Sequence, residues 1–273
     1  MRTTDTAFIQ PDSTDAAVSD LPPPGPWRLA LEFRAPWEFG ALFPAWPILQ
    51  RAPVGDGHAV IVFPGLSASD ASTVALRRYL SGLGYAVSGW NQGFNFGPRA
   101  GVLQAAKRQV LQAAQVAGGR VSLVGWSLGG IYARELAKEL HEHVRCVITL
   151  GTPFAGSPRS TNAWRIYELT SGRDIHRETQ HYDLPTAPPV PTTSIYSRSD
   201  GIVAWQGSIQ RPSPHQPRTE NIEVIASHIG IGMNPSAWWA VADRLAQSPE
   251  RWRPFERKGK LRIMGLVYPD PQR

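Results

Sequence analysis

The sequence has too few cysteines and too little clustered charge for several common classes of protein. Cys146 is the only cysteine among 273 residues, so no disulfide can form within the chain, and the apolar run around it, VRCVITL, predicts a buried strand. The formal net charge is +6, but Lys and Arg are scattered and form no run of five or more. This pattern favours a solvated, arginine-rich surface over a nucleic-acid site. We therefore expect no nucleic acid among the partners.

Long apolar stretches and metal-ligand patterns are missing as well. No run of eighteen uninterrupted apolar residues occurs, and the opening MRTTDTAFIQPDSTDAAVSD lacks a basic patch followed by an apolar core. We expect neither a membrane span nor a secretion signal. The expected location is the cytoplasm, and peripheral contact with a membrane is an open alternative. His141 and His143 have no further ligands at metal-site spacing, so we expect no metal and no other cofactor.

Composition divides the chain into four parts. Residues 1–26 are polar and end in LPPPGP, which predicts a flexible, proline-rich tail. Residues 27–57, the aromatic-rich segment, are interrupted by prolines and have two interpretations. The segment either packs over the main domain or, within residues 27–50, forms a membrane-surface or substrate-entrance element. Residues 58–250 form the main domain, and residues 251–273 are a basic C-terminal extension.

The pattern of residues 58–250 predicts the fold class. HAVIVF, YAVSGW, RVSLVGW and VRCVITL have the apolar, β-branched character of buried strands, and the stretches between them have helical spacing. Strict alternation of strand and helix predicts an α/β fold, with a mostly parallel central sheet and helices on both faces. The alternation pauses over about residues 157–189, which we interpret as an inserted lid, and then resumes with VPTTSIYS and NIEVIAS.

The stretch VGWSLGG, residues 124–130, places a serine between glycines at two-residue spacing. A predicted strand leads into it and a predicted helix begins at Leu128, so Ser127 lies at a sharp strand-to-helix turn. Neighbouring backbone passes too close in such a turn for side chains at Gly125 and Gly129. The helix N-terminus also directs amide groups towards negative charge that develops there. We predict that Ser127 is a nucleophile.

A serine hydroxyl needs a base within hydrogen-bond reach and a carboxylate that orients the base. In TSIYSRSDGIV and IEVIASHIG, Asp200 and His228 each follow a predicted strand directly. Asp174 and Asp183 fall in the predicted lid and Asp243 in a surface helix, so position favours Asp200 as the acid. The other histidines start a strand, end a helix, or lie in the lid or a loop: His58, His141, His143, His176, His181 and His215. Position therefore favours His228 as the base.

The negatively charged intermediate of acyl transfer needs two backbone donors. The amide of Leu128, directly after the serine, is one candidate. The loop FPGLSASD offers the other, and because Pro64 cannot donate, Leu66 is favoured over Ser67. Four apolar side chains near the predicted turns have two interpretations, an acyl-binding site or core packing: Trp126, Phe94, Phe96 and Phe154.

With these motifs assembled, residues from about 58 to 247 resemble the α/β-hydrolase fold, and within it the bacterial lipases and esterases with a PGL-type oxyanion loop. GWSLGG looks like their nucleophile motif, SDGIV and SHIG look like their acid and histidine loops, and ITLGTPFAGS is similar to a loop in which histidine is usual at the position of Phe154. The resemblance implies acyl-enzyme chemistry on a carboxylic ester, with Ser127, Asp200 and His228 as the triad. Phe154 implies a more apolar pocket.

Two further functions are compatible with the same residues. An acyltransferase would use the same three side chains and pass the acyl group to an alcohol or amine in place of water. A non-catalytic binding protein on a hydrolase-like scaffold, at a membrane surface, is the second alternative. The presence of a serine, an aspartate and a histidine at the three predicted triad positions favours an enzyme that acts on a small-molecule or lipid-like ester. The sequence does not indicate the oligomeric state.

Overall fold

A computed structural model describes residues 21–99, 101–156, 160–162, 183–257 and 267–269. Within these ranges six strands form one sheet in the order β2-β1-β3-β4-β5-β6. The strands are β1 (Ala59–Phe63), β2 (Ala86–Gly89), β3 (Val121–Trp126), β4 (Val144–Leu150), β5 (Thr192–Tyr196) and β6 (Thr219–Glu223). Every pairing in this sheet is parallel, which confirms the predicted sheet.

Helices cover both faces of the sheet, as predicted. The described α-helices are α1 (Pro26–Ala30), α2 (Ala35–Gly40), α3 (Leu42–Leu49), α4 (Asp70–Gly82), α5 (Val102–Ala117), α6 (Leu128–Glu139) and α7 (Pro235–Leu245). Alternate residues of β1 divide between two cores because successive strand side chains point to opposite faces. Val60 and Val62 pack with α4 and α7, whereas Ile61 and Phe63 pack with α5 and α6. Cys146 is buried in β4.

The aromatic-rich segment folds into α1, a 3₁₀ turn at Leu31–Arg34, α2 and α3. Pro26 and Pro36 stand in the first turn of α1 and α2, where a missing amide costs no helical hydrogen bond. One side of the segment packs on the main domain, where Leu49 is buried and Trp46 meets Tyr79 edge to face at 6.1 Å. The other side leaves large aromatic side chains exposed.

The described parts of both extensions contact the main domain. Pro24 is buried, and its carbonyl accepts a hydrogen bond from the Asn162 side chain, upstream of the tail boundary predicted at residue 26. Phe255 and Tyr268 are buried with their rings 4.8 Å apart in a T-shaped arrangement. The predicted lid, apart from residues 160–162 and 183–189, lies outside the described residues, as do residues 1–20 of the tail. None of the described helices is long and apolar enough to cross a membrane.

Candidate active site

Ser127 lies at the turn between β3 and α6, with φ 52° and ψ −122°. A non-glycine residue at positive φ is strained, and the close packing around it holds this one in place. A Cβ added at Gly125 would lie 2.4 Å from the Gly129 carbonyl oxygen, and one added at Gly129 would lie 2.4 Å from the Phe63 carbonyl oxygen. Both glycines are therefore a steric requirement of the turn, which brings α6 against the end of β1.

The structure brings Ser127, Asp200 and His228 together at the carboxyl edge of the sheet. His228 Nε2 lies 2.9 Å from Ser127 Oγ, and His228 Nδ1 lies 2.7 Å from Asp200 Oδ2. A neutral imidazole protonated at Nδ1 would donate to the carboxylate and accept the serine proton at Nε2. Asp200 and His228 are buried, whereas Ser127 is partly exposed, as its predicted role of nucleophile would require.

The electrostatic surroundings of His228 favour its protonated form. Burial by itself lowers the pKa of the imidazole, but the charge and hydrogen bond of Asp200 and the charge of Glu32 outweigh that effect, so the pKa is raised. The second oxygen of Asp200, Oδ1, accepts hydrogen bonds from the amides of Ile202 at 2.9 Å and Val203 at 2.7 Å. These bonds fix the carboxylate so that Oδ2 faces the ring.

The backbone amides of Leu66 and Leu128 have no hydrogen-bond partner among the described residues. Leu128 is the first residue of α6, and Leu66 lies in residues 64–69 after β1, which we call the oxyanion loop for its predicted role. A Cβ added at Gly65 would lie 3.4 Å from Ser127 Cβ, so this loop runs against the serine. The Ser67 amide donates to the Asn95 carbonyl at 2.7 Å, so Ser67 is engaged elsewhere, whereas the Leu66 amide is available.

Asn95 fixes the oxyanion loop, although its sequence context gives no signal of this. The residue is fully buried. Its side-chain amide donates to the Pro64 carbonyl at 2.8 Å, its carbonyl accepts from Ser67, and its own amide donates to the Ala68 carbonyl at 2.8 Å. One residue thus bonds three positions of the loop that carries the Leu66 amide.

Two glutamates of the aromatic-rich segment bind the histidine loop, residues 224–234, and sequence reasoning missed both. Glu32 accepts hydrogen bonds from the amides of His228 and Ile229, and Glu38 accepts from the amide of Ser227 at 2.8 Å. Glu38 also forms an ion pair with Arg34 at 2.7 Å. These contacts join residues almost two hundred positions apart, so no local pattern could have indicated them.

The four side chains predicted for an acyl site have different surroundings. The Trp126 indole donates to the His228 carbonyl at 3.1 Å and therefore supports the histidine loop. Phe94 is 60% exposed and stacks on Phe96, with ring centroids 5.7 Å apart. Phe154 is buried beneath the Arg134 guanidinium, which lies 3.7 Å from its ring centroid. A substrate-binding role for these residues stays a prediction.

Comparison with known proteins identifies the fold. No protein-family model and no curated protein matches the sequence. The structure is similar to Aspergillus fumigatus lipase B, with a TM-score of 0.55 and 18% identity, over 71% of this chain and 53% of that one. The chain thus spans about half of that lipase. It is also similar to the Paleococcus ferrophilus monoacylglycerol lipase, with a TM-score of 0.50 and 15% identity, over 71% of this chain and 96% of that one.

These similarities show that the chain has the α/β-hydrolase fold, as the motifs predicted. Because one fold supports many chemistries, activity must be argued from the site. Across the described residues, no group of three His, Cys, Asp or Glu side chains could hold a metal ion.

Proposed function

We propose that the protein is a serine hydrolase that cleaves carboxylic esters, with Ser127 as nucleophile, His228 as general base and acid, and Asp200 as the carboxylate that orients the imidazole. The observation that carries this proposal is the pair of contacts at His228, 2.9 Å to Ser127 Oγ and 2.7 Å to Asp200 Oδ2. Ser127 Oγ attacks the acyl carbon as His228 takes its proton, and the imidazole then returns that proton to the leaving alkoxide. Water, activated by the same imidazole, hydrolyses the resulting acyl-enzyme.

The unpartnered amides of Leu66 and Leu128 support the same proposal. Both flank the serine, and donors already in place stabilise the oxyanion of the tetrahedral intermediate without reorganisation. The N-terminus of α6 adds a favourable electrostatic field at that oxygen. The pair therefore matches what an acyl-transfer intermediate requires.

Labelling by a fluorophosphonate probe tests the proposal. The wild-type protein should be labelled at Ser127 and should hydrolyse p-nitrophenyl butyrate, whereas Ser127→Ala and His228→Ala should lose both properties. Ser81→Ala, which changes an exposed serine of α4, is the matched control and should behave as wild type. Labelling that persists in Ser127→Ala, or a folded wild type without labelling, contradicts the proposal. The ratio of free acid to new ester, formed in the presence of an added alcohol, distinguishes a hydrolase from an acyltransferase.

A second proposal concerns the outer side of the aromatic-rich segment, which we propose binds an anionic lipid surface. Besides Trp46, whose ring packs on Tyr79, the segment exposes six large apolar side chains: Trp27, Leu29, Phe33, Trp37, Phe43 and Ile48. Between residues 26 and 51 both carboxylates contact the histidine loop, while Arg28 and Arg51 are exposed. Exposed aromatic rings beside cationic side chains suit the headgroup region of an anionic bilayer.

Vesicle flotation tests the lipid-binding proposal with point variants, because deletion of the segment would also remove Glu32 and Glu38. The double variant Trp27→Ser/Trp37→Ser should bind vesicles of phosphatidylcholine and phosphatidylglycerol about 10³-fold more weakly, since each buried tryptophan contributes roughly 2 kcal/mol and about 1.4 kcal/mol is tenfold. Val116→Ser, at an 82% exposed site on α5, is the control and should bind as wild type. Vesicle binding by the double variant that equals that of wild type contradicts this proposal. A wild-type dimer that the double substitution dissociates also contradicts it, because the exposed side chains would then bind a second copy of the chain.

A further inference from the structure

Glu32 is a buried carboxylate that contacts both loops of the candidate active site. It lies in the 3₁₀ turn at Leu31–Arg34 and is 7% exposed. Its Oε1 accepts hydrogen bonds from the amides of Gly201 and His228, each at 2.8 Å, and its Oε2 accepts from the amide of Ile229 at 2.9 Å. Gly201 directly follows Asp200. One side chain therefore bonds the acid loop, residues 197–204, and the histidine loop.

The aromatic-rich segment lies in close contact with both loops. A Cβ added at Gly201 would lie 2.2 Å from the Arg28 carbonyl oxygen, so the segment is in direct contact with the acid loop. A Cβ added at Gly230 would overlap the Glu38 carboxylate. Three amides would lose their acceptor without Glu32, and those of Gly201 and His228 are buried, where a donor left without a partner is costly. Both loops thus depend on the segment for their hydrogen bonding.

Charge distinguishes Glu32 from the other groups around His228. The Asp200 carboxylate contacts the ring directly, and Glu38 is paired with Arg34, which offsets its charge. Glu32 has no cation within ion-pair distance in the described part of the chain. Its charge reaches the buried imidazole with little screening and contributes to the raised pKa of His228.

We infer that Glu32 is a positioning residue, which holds the Asp200 and His228 loops side by side so that the imidazole stays within hydrogen-bond reach of Ser127. This inference rests on the proposed function. It assigns to the aromatic-rich segment a part in the reaction that lies outside the three residues of the triad. Because Glu32 touches backbone amides and not the reacting atoms, it acts through His228 and Asp200.

Glu32→Gln tests the inference, because it removes the charge and turns one acceptor oxygen into a donor that faces an amide. Hydrolysis of p-nitrophenyl butyrate should show kcat lowered about 10- to 100-fold, the cost of a small displacement of a reacting group, with KM nearly unchanged. The acid limb of the pH profile should move to lower pH. Glu32→Asp retains the charge, so its His228 should titrate as in wild type. Glu142→Gln, an exposed glutamate in the turn before β4, is the matched control and should behave as wild type.

An NMR titration of the His228 ring gives a readout that does not depend on catalysis. Lowered kcat in a Glu32→Gln protein that thermal unfolding shows to be folded supports the inference, and a lower pKa of His228 shows in addition that the charge reaches the ring. Unchanged kcat overturns the inference, because loss of the charge alone would lower the pKa without moving the loops. If Glu32→Gln does not fold, the comparison uses Glu32→Asp, for which wild-type kcat overturns the inference and lowered kcat at unchanged His228 pKa supports it. A wild type that neither hydrolyses esters nor reacts with the fluorophosphonate refutes the proposed function instead, and the titration still decides whether Glu32 acts on His228.

Discussion

Gly129→Ala should separate the two halves of the candidate oxyanion site. Gly129 is the second residue of α6, and a Cβ at this position would lie 2.4 Å from the Phe63 carbonyl oxygen and 2.6 Å from that of Pro64. Ordinary contacts begin at 3.4 Å, so α6 and the start of the oxyanion loop must move apart by about 1 Å. The Leu128 amide lies on one side of this clash and the Leu66 amide on the other. The two amides therefore cannot both keep their places relative to the serine.

The expected effect on activity follows from this displacement. Loss of one oxyanion donor lowers kcat by about 10²–10³-fold, and a misplacement of about 1 Å can cost about 10²-fold. We therefore expect Gly129→Ala to lower kcat for p-nitrophenyl butyrate at least about 10²-fold. Overpacking should also lower the free energy of unfolding by about 1–3 kcal/mol, which urea denaturation would measure.

Gly82→Ala is the matched control for this experiment. Gly82 ends α4, its φ is not positive, and an added Cβ would meet nothing within 4 Å. Alanine also restricts the unfolded chain, so stability should be unchanged or slightly higher, with wild-type activity. A Gly129→Ala protein with activity within about threefold of wild type would refute the steric argument, since the donors would then tolerate the clash.

Three other predictions test the surroundings of the site. Because the carboxylates beside His228 raise its pKa, kcat/KM should fall as the pH decreases through a pKa above the ordinary histidine value of about 6.5, since a protonated imidazole cannot accept the serine proton; an acid limb below that value contradicts this. Asn95→Ala should lower kcat about tenfold or more and destabilise the fold by roughly 1–3 kcal/mol, because the buried Pro64 carbonyl loses its side-chain donor; unchanged urea denaturation would contradict it. Trp126→Phe should cost about 1 kcal/mol of stability through the lost bond to the His228 carbonyl, with KM unchanged; a raised KM at unchanged stability would instead indicate substrate contact.

The sheet and its helices could be predicted because their signals are local. The apolar runs of β1, β3 and β4 and the helical spacing between them each depend on neighbouring residues. The turn at Ser127 was predictable for the same reason, since Gly125, Ser127 and Gly129 fall within five positions. Asp200 and His228 were found from one further rule, that parallel strands end at the same edge of the sheet.

The supports of the site could not be predicted, because they depend on contacts between distant parts of the chain. Glu32 and His228 are 196 positions apart, and Asn95 and Pro64 are 31 apart. A glutamate between a leucine and a phenylalanine, or an asparagine between two phenylalanines, has no local pattern that indicates its partner. Trp126 illustrates the same limit, since proximity to Ser127 suggested an acyl site whereas its indole bonds the His228 carbonyl.

The bonds from Glu32 to Gly201 and His228 have a consequence for the order in which the protein gains activity. The segment that holds Glu32 leaves the ribosome early, but its acceptors follow 169 and 196 positions later. Contacts of such long sequence separation form slowly, because a large loop must close before they form. The sheet and the turn at Ser127 can therefore assemble while the serine is still inactive. In refolding from denaturant, ester hydrolysis should therefore return after the circular dichroism of the sheet and helices, once Glu32 has met the amides of Gly201 and His228.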